Sequence, residues 1–189
     1  ERLVAPGGDV GAAAEAVGFP VVVKVASPDI AHKTEIGAVA VGLADAAAAR
    51  AAGAEILRRV AAARPDARVE GLIVAPMQRG GVETIAGVVR DPVFGPVVLL
   101  GPGGVFVEVL GDTVIRPAPV DLDGARAMVR ELRGSALLTG TRGRPPADVD
   151  ALAAALVRLS EFAAAHPEVA SAEANPFVVW PDGAAALDT

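Results

Sequence analysis

Apolar residues along the chain follow two spacings, one typical of β-strands and the other typical of helices. The run Val21–Val25, interrupted only by Lys24, predicts a buried strand. Other short apolar runs lie between turn residues and predict further strands. These predicted strands are Val39–Leu43, Val69–Val74, Thr84–Val89, Val97–Leu100, Phe106–Leu110, Thr113–Ile115, Ala172–Val179 and Ala184–Asp188.

Segments rich in alanine and leucine between these strands predict helices. Asp9 and Asp45 are suited to cap helix N-termini, because a short carboxylate accepts the first free backbone N–H groups. Gly18 and Pro65 are suited to end the same helices. The mixture of helices and strands predicts an α+β protein. The predicted helices are Asp9–Val17, Asp45 to about Arg64, Leu122–Glu131 and Asp148–Ala165.

Composition narrows the class of protein. The 189 residues, 52% of them hydrophobic, suffice for one large domain or for two small lobes around one site. No apolar stretch is long enough to span a membrane, and no signal peptide is recognisable. The chain has no cysteine, which excludes disulfides and thiolate metal sites and fits a cytoplasmic protein. A net charge of −6 and only 3% aromatic residues argue against nucleic-acid binding.

The chain begins at Glu1 and not at Met, and its last residues belong to a strand-like segment. We therefore expect it to be a piece of a longer polypeptide.

Lysine is confined to Lys24 and Lys33, whereas the other strong cations are arginines. A lysine retained in this way indicates a need for a compact, rotatable ammonium group. Because a charge in a buried strand is costly unless an opposite charge meets it, Lys24 is a candidate for binding a ligand phosphate. The alternative is that Val21–Val25 is an edge strand whose lysine prevents aggregation. The residues themselves leave both interpretations open.

The last two predicted strands form a hairpin around Pro181-Asp182-Gly183. If Val179 pairs with Ala184 across a four-residue loop, the same register places Asn175 opposite Asp188. An amide oxygen and a carboxylate on one face are ligands that Mg²⁺ prefers. Alternatively, Asn175 starts a turn before a proline that disrupts the ladder, and Asp188 is a solvated terminal residue.

Several other motifs carry less information. The glycine-rich loop Gly101–Gly104 follows a strand but precedes no clear helix, so it matches neither a P-loop nor a dinucleotide-binding loop. Pro76–Gly81 is a plausible hinge. His166 ends a predicted helix, where we expect it to act as a C-cap without chemistry. Arg142 and Arg144 are expected to be solvated loop arginines.

Taken together, these segments resemble ATP-grasp proteins, and among them the NDP-forming acyl-CoA synthetases. The resemblance covers nearly the whole chain from about Gly18, with the motifs in the same order. The last motifs are similar to the metal-binding end that the family shares with the succinyl-CoA synthetase beta subunit. The matching segments are Gly18–Lys24, Ser27–Thr34, Arg90–Pro96, Gly101–Glu108, Glu131–Gly134, Arg142–Pro146, Glu173–Phe177 and Ala186–Asp188.

The resemblance implies an ATP-grasp fold, in which two α/β lobes bind ATP or ADP between them. It places the smaller N-terminal lobe at residues 1–75, with a phosphohistidine loop, and the C-terminal lobe at residues 76–189, with a metal site. Lys24 would bind the nucleotide phosphates, and Glu83 would help to hold the ribose. Asn175 and Asp188 would hold Mg²⁺ or Mn²⁺. The adenine would be lined by backbone groups of Val74, Ala75, Pro76 and Met77.

In the same comparison, His32 would be the phosphohistidine that carries a phosphoryl group between ATP and a partner module. That module, an alpha subunit or a fused domain, would perform the CoA and acyl-phosphate chemistry. The implied reaction is that of ADP-forming acetate–CoA ligases, which interconvert acyl-CoA, ADP and phosphate with acid, CoA and ATP. A fixed general base, oriented by Asp29 or Glu35, remains an alternative role for His32.

A function of another class also fits the resemblance. Some protein lysine acetyltransferases join a similar region, as a regulatory nucleotide-binding module, to an acetyl-transfer domain. The sequence that adjoins this chain would distinguish the two. A structural domain without nucleotide binding is disfavoured because Lys24, His32, Asn175 and Asp188 are all present.

Overall fold

The computed structural model describes residues 1–30, 33–103, 111–141, 143 and 145–187. The chain divides into two compact units, Glu1–Arg79 and Gly80–Thr189, and each unit has its own sheet and its own core. No helix in these described ranges is long and apolar enough to cross a membrane. The α+β class predicted from the sequence is confirmed, whereas the assignment of residues 1–75 and 76–189 to two nucleotide-binding lobes stays a prediction.

The first unit is a four-stranded antiparallel sheet with two helices. Its strands are β1 (Arg2–Val4), β2 (Val21–Ala26), β3 (Val39–Leu43) and β4 (Gly71–Pro76). Its helices are α1 (Val10–Val17) and α2 (Ala46–Ala63). The strands lie in the order β1-β4-β2-β3, so β2 lies inside the sheet. The interpretation of the Lys24 strand as an edge strand is therefore wrong.

Helix capping and valine burial explain this arrangement. The Asp9 carboxylate accepts backbone N–H groups at the start of α1, and the Asp45 carboxylate accepts the Ala48 N–H at 2.8 Å at the start of α2. On β2, Val21, Val23 and Val25 are fully buried in the core that the two helices cover. The predicted α1, α2, β2 and β3 are thus confirmed, and β4 begins two residues later than predicted.

The second unit is a five-stranded antiparallel sheet with the order β7-β6-β5-β8-β9. Its strands are β5 (Val82–Asp91), β6 (Gly95–Pro102), β7 (Val114–Pro117), β8 (Ser171–Trp180) and β9 (Gly183–Ala186). Its helices are α3 (Leu122–Glu131), α4 (Ala136–Thr139) and α5 (Val149–Ala165). Side chains of α3 and α5 pack on one face of this sheet. Their core includes Ala86, Val98, Leu100, Met128 and Leu152.

Several boundaries differ from the prediction. The strand β6 includes Gly101 and Pro102, which were expected in a glycine-rich loop. This difference arises because Gly101 pairs with Ile85 and Pro102 with Thr84 on the neighbouring strand. The short elements β1 and α4 were not predicted, since three or four residues carry too little periodicity to be recognised. The strand predicted at Phe106–Leu110 lies outside the described residues.

Candidate functional site

Lys24 lies in the middle of the first sheet, opposite Ile73 on β4 and Val39 on β3. Its side chain belongs to the face opposite the core valines, because neighbouring residues of a strand alternate between the two faces. Only 9% of Lys24 is exposed, which is unusual for a lysine. The strand pairing thus fixes the backbone of a largely buried lysine, whose side chain leaves the sheet on the face away from α1 and α2.

The segment expected to line the adenine forms the end of β4. Val74 is fully buried in the core, so its contribution to a ligand is limited to its backbone. Ala75 pairs with Val22, and it therefore shares the sheet face of Lys24. The Met77 N–H donates to the Pro20 carbonyl at 2.9 Å and ties the segment to the start of β2. The structure therefore brings Lys24 and Ala75 onto one face and leaves the Val74 side chain on the other.

The strand β4 continues past the residues that pair with β1. That pairing covers Leu72, Ile73 and Val74, whereas Ala75 and Pro76 continue the strand. Where a strand extends past its neighbour, the backbone N–H and C=O groups on that side are available for other hydrogen bonds. Contacts through backbone groups, as expected for an adenine ring, fit this geometry.

Glu83 lies on β5 in the second unit, opposite Val178, with its side chain exposed. Its backbone carbonyl accepts the Gly103 N–H at 2.7 Å. A Cβ at Gly103 would lie 2.7 Å from the Glu83 Cβ and 2.9 Å from the Thr84 nitrogen. The absence of a side chain at Gly103 therefore permits the close backbone contact that holds Glu83 in place.

Asn175 is exposed and lies in a β-bulge. The register of β5 against β8 shifts between the pairs Thr84–Phe177 and Ala86–Ala174, so Asn175 and Pro176 together oppose the single residue Ile85. A bulge of this kind bends its strand and changes the direction of the side chains that it carries. The proline thus fits inside the sheet because the ladder is interrupted at that point.

The terminal hairpin has the predicted register. Val179 pairs with Ala184, and the Leu187 N–H continues the ladder by donating to the Pro176 carbonyl at 3.0 Å. The predicted four-residue loop is wrong, because Trp180 also pairs with Gly183 and leaves a two-residue turn. The partner expected opposite Asn175, Asp188, lies outside the described residues, as do His32, Arg142 and Arg144.

The residues that flank His32 are held at both ends of the β2–β3 connection. The Asp29 carboxylate accepts the Arg68 backbone N–H at 2.7 Å, and the Lys33 carbonyl accepts the Ala38 N–H at 2.8 Å. Lys33 lies in a turn, as predicted. The bond to Arg68 engages the carboxylate that was one candidate to orient an imidazole base.

In the described part of the chain, no group of three or more His, Cys, Asp or Glu side chains is arranged to hold a metal ion. The exposed residue Asn175 carries an amide oxygen, which is the hard donor type that Mg²⁺ accepts alongside phosphate and water oxygens. The residue is thus chemically suited to the magnesium-ligand role predicted for it, which stays a prediction.

The pKa shifts belong to ion pairs and a turn away from these residues. Hydrogen bonding from Arg50, together with backbone N–H groups of α1, lowers the pKa of Asp9 to about 2. Two arginines on α2 lower the pKa of Glu55 to about 2 in the same way. The backbone N–H groups of Phe94 and Val93 lower the pKa of Asp91 at the β5–β6 turn. These carboxylates stabilise helix ends, the helix surface and a turn.

Thr84 and Gly103 were not singled out individually from the sequence. Thr84 follows Glu83 on β5 and is buried beside the bulge. Its hydroxyl donates to the Phe177 carbonyl. A polar residue inside a predicted strand is a weak signal, because strands commonly contain threonine. The role of Gly103 depends on a contact between strands, and only the glycine-rich segment around it was visible in the sequence.

The whole chain, residues 1–189, matches the family model described as an ATP-grasp domain. The acetate–CoA ligase [ADP-forming] I of Archaeoglobus fulgidus is 45% identical over 175 residues, covering 93% of this chain and 25% of that protein. The subunit beta of acetate–CoA ligase [ADP-forming] I from Pyrococcus furiosus is 39% identical over 172 residues, covering 91% of this chain and 74% of that subunit. The chain thus spans a quarter of the first relative's length and most of the second's.

Solved structures show the same fold, and together with the family match they confirm the predicted ATP-grasp fold. The dinucleotide-forming acetyl-coenzyme A synthetase 1 of Ca. Korarchaeum cryptofilum, in complex with coenzyme A, Ca-AMPCP and HgCl⁺, superposes with a TM-score of 0.93 at 36% identity, covering 99% of this chain and 82% of that chain. Another structure of that synthetase contains coenzyme A and Mg-AMPPCP, with its phosphohistidine segment pointing towards the nucleotide binding site. It superposes with a TM-score of 0.82 at 36% identity, covering 95% of this chain and 79% of that chain.

Proposed function

Because this chain belongs to the ATP-grasp family, we propose that it is the nucleotide-binding domain of an ADP-forming acyl-CoA synthetase, most similar to acetate–CoA ligase. The complete enzyme would interconvert acyl-CoA, ADP and phosphate with a carboxylic acid, CoA and ATP. The CoA and acyl-phosphate chemistry would lie on a partner module, as an alpha subunit or a fused domain. A cytoplasmic location stays a prediction from the absence of cysteine.

The observation that carries this proposal is the buried position of Lys24 inside the first sheet. Lysine presents a compact positive charge with three hydrogen-bond donors, and nucleotide phosphates supply the negative charge that such a group binds. Ala75, on the same sheet face, begins the part of β4 that extends beyond β1. A nucleotide with its phosphates at Lys24 and its adenine against the Ala75–Met77 backbone would use both features.

The second unit carries the residues proposed to hold the ribose and the metal ion. The Glu83 carboxylate would accept hydrogen bonds from the ribose hydroxyls, since an ionised carboxylate is a strong acceptor. Asn175 and Asp188 would supply oxygen ligands to Mg²⁺, which would neutralise negative charge on the phosphates. The exposed side chains of Glu83 and Asn175, on neighbouring strands, support these roles.

His32 would carry the phosphoryl group. A neutral imidazole nitrogen would attack the γ-phosphorus of ATP, so that a P–N bond forms, the bond to the bridging oxygen breaks and ADP leaves. The phosphohistidine would then give the group to the acid on the partner module, which yields acyl phosphate and free His32. The phosphohistidine segment of the Korarchaeum synthetase supports this assignment. An imidazole suits the role because it is largely neutral and nucleophilic near neutral pH.

Titration calorimetry with MgADP and MgATP tests the proposal directly. Lys24→Ala should weaken binding by about 10- to 100-fold, the loss expected when a hydrogen bond to a charged group is removed. The matched control is Arg58→Ala, which removes a cation from the exposed ion pair with Glu55 on α2 in the same unit. Thermal unfolding should show the same difference, because a ligand that binds only the native state raises its stability.

Two results would contradict the proposal. Absence of nucleotide binding by the wild-type protein would remove the proposed function altogether. Unchanged affinity in Lys24→Ala would show that Lys24 serves the sheet and does not bind phosphate.

A further inference from the structure

Thr84 is a polar side chain in the interior of the second unit. It is 1% exposed, and its hydroxyl donates to the Phe177 carbonyl at 2.7 Å. This bond joins a β5 side chain to the backbone of β8, in addition to the pairing between the strands. A buried hydroxyl needs a partner, but valine of similar shape would have avoided that need. Packing alone therefore does not explain why this position carries a hydroxyl group.

Its position supplies that explanation. Thr84–Phe177 is the last pair before the register shift, and the next two residues on β8 towards the N-terminus are Pro176 and Asn175. The Pro176 carbonyl is bound from the other side by the Leu187 N–H. The bulge is consequently held from β5 by a side chain and from the terminal hairpin strand by a backbone group. Asn175 lies immediately beyond these two bonds.

We propose that Thr84 is a positioning residue that fixes the bulge and thereby directs the Asn175 amide oxygen towards the divalent cation bound with the nucleotide. This inference rests on the proposed function. Register is easily changed at an irregular pairing, and a shift of one residue would move Asn175 to the other face of the sheet. The Thr84 bond opposes that shift without touching the metal or the nucleotide. Partners that orient metal ligands in this indirect way commonly control metal affinity.

The test compares Thr84→Val, which removes the hydroxyl, with Thr84→Ser, which keeps it. ADP affinity is measured by calorimetry on the intact protein, with Mg²⁺ and with EDTA. Thr84→Val should reduce the Mg²⁺-dependent gain in ADP affinity about tenfold or more, with metal-free affinity unchanged. Thr84→Ser should retain the wild-type gain. Thr84→Ala is the second variant, because a valine methyl group also crowds the Phe177 carbonyl and could prevent folding.

The outcomes separate positioning from a purely structural role. If Thr84→Val and Thr84→Ala lower the melting temperature but keep the Mg²⁺-dependent gain, the hydroxyl only stabilises the fold and the inference is overturned. Asn175→Ala distinguishes this failure from failure of the proposed metal site. If Asn175→Ala loses the gain while both Thr84 variants keep it, the metal site stands and the positioning role falls. If Asn175→Ala also keeps the Mg²⁺-dependent gain in ADP affinity, both the proposed metal site and the positioning role of Thr84 fail.

Discussion

Replacing Gly103 with alanine should reveal how the second unit holds Glu83. The new Cβ would lie 2.7 Å from both the Glu83 carbonyl carbon and its Cβ. Carbon atoms in contact prefer about 3.5–4.0 Å, so the two strands must separate by roughly 0.8 Å or more. Overpacking of this kind costs about 1–3 kcal/mol in the free energy of unfolding.

The same displacement should affect ribose binding. Functional side chains tolerate a displacement of only about 0.5 Å, and the expected shift exceeds it. Loss of a hydrogen bond to a charged carboxylate corresponds to about 1.5–3 kcal/mol, or roughly a 10- to 100-fold weaker affinity for ADP. Removing the ribose hydroxyls from the ligand removes the interaction, so 2′,3′-dideoxy-ADP should bind the variant and the wild type almost equally.

Calorimetry with MgADP and with Mg-2′,3′-dideoxy-ADP measures this selectivity, and urea unfolding measures stability. Gly101→Ala is the control, because its Cβ would lie 3.4 Å from the nearest atoms, at Asp112 and Thr113, and would need little adjustment. In a Glu83→Ala background, Gly103→Ala should cause no further loss of ADP affinity. Gly103 does not act through Glu83 if Gly103→Ala weakens binding of both nucleotides equally, or if its effect persists unchanged without the Glu83 carboxylate.

Two further predictions concern the first unit. The Arg50 hydrogen bond and, to a smaller extent, backbone N–H groups of α1 lower the pKa of Asp9 from 3.8 to about 2, so the folded state is stabilised fully above pH 3.8 and loses this stabilisation as the pH falls towards 2. Arg50→Ala should reduce the acid dependence of the urea midpoint, and an unchanged profile would contradict this prediction. His32→Asn should block ATP formation by the complete enzyme but leave acyl-phosphate formation on the partner module. Wild-type protein should acquire acid-labile, base-stable phosphate, and turnover by His32→Asn without phosphohistidine in the wild type would exclude the carrier role.

Local chemistry in the sequence predicted much of the fold. Asp9 and Asp45 identified the starts of α1 and α2, because capping depends on residues a few positions away. The run of valines interrupted only by Lys24 identified β2. The register of the terminal hairpin also followed from its short connection, although the additional Trp180–Gly183 pair shortened the turn to two residues. These features depend on neighbours along the chain.

Features that depend on distant strands could not be predicted in this way. The interior position of Lys24 follows from pairing of β2 with β4, whose residues lie about fifty positions later in the sequence. The bulge at Asn175 and Pro176 is defined by the pairing with β5, and it leaves no periodic pattern in the sequence of β8. Likewise, Gly103 is recognised as necessary only when Glu83 lies against it. The chemistry of the candidate residues was thus accessible from the sequence, but the means of holding them was not.

Trp180 is the single tryptophan of the chain, which has no tyrosine. It lies at the end of β8, where a Cβ at Gly81 would approach its indole nitrogen to 3.0 Å, and both residues belong to the second unit. Indole fluorescence therefore reports on the unit that contains Trp180, whereas circular dichroism follows helices of both. Because the two units have separate cores, they need not unfold together. The difference between the two optical signals would isolate the unfolding of the unit that contains Lys24, without any introduced label.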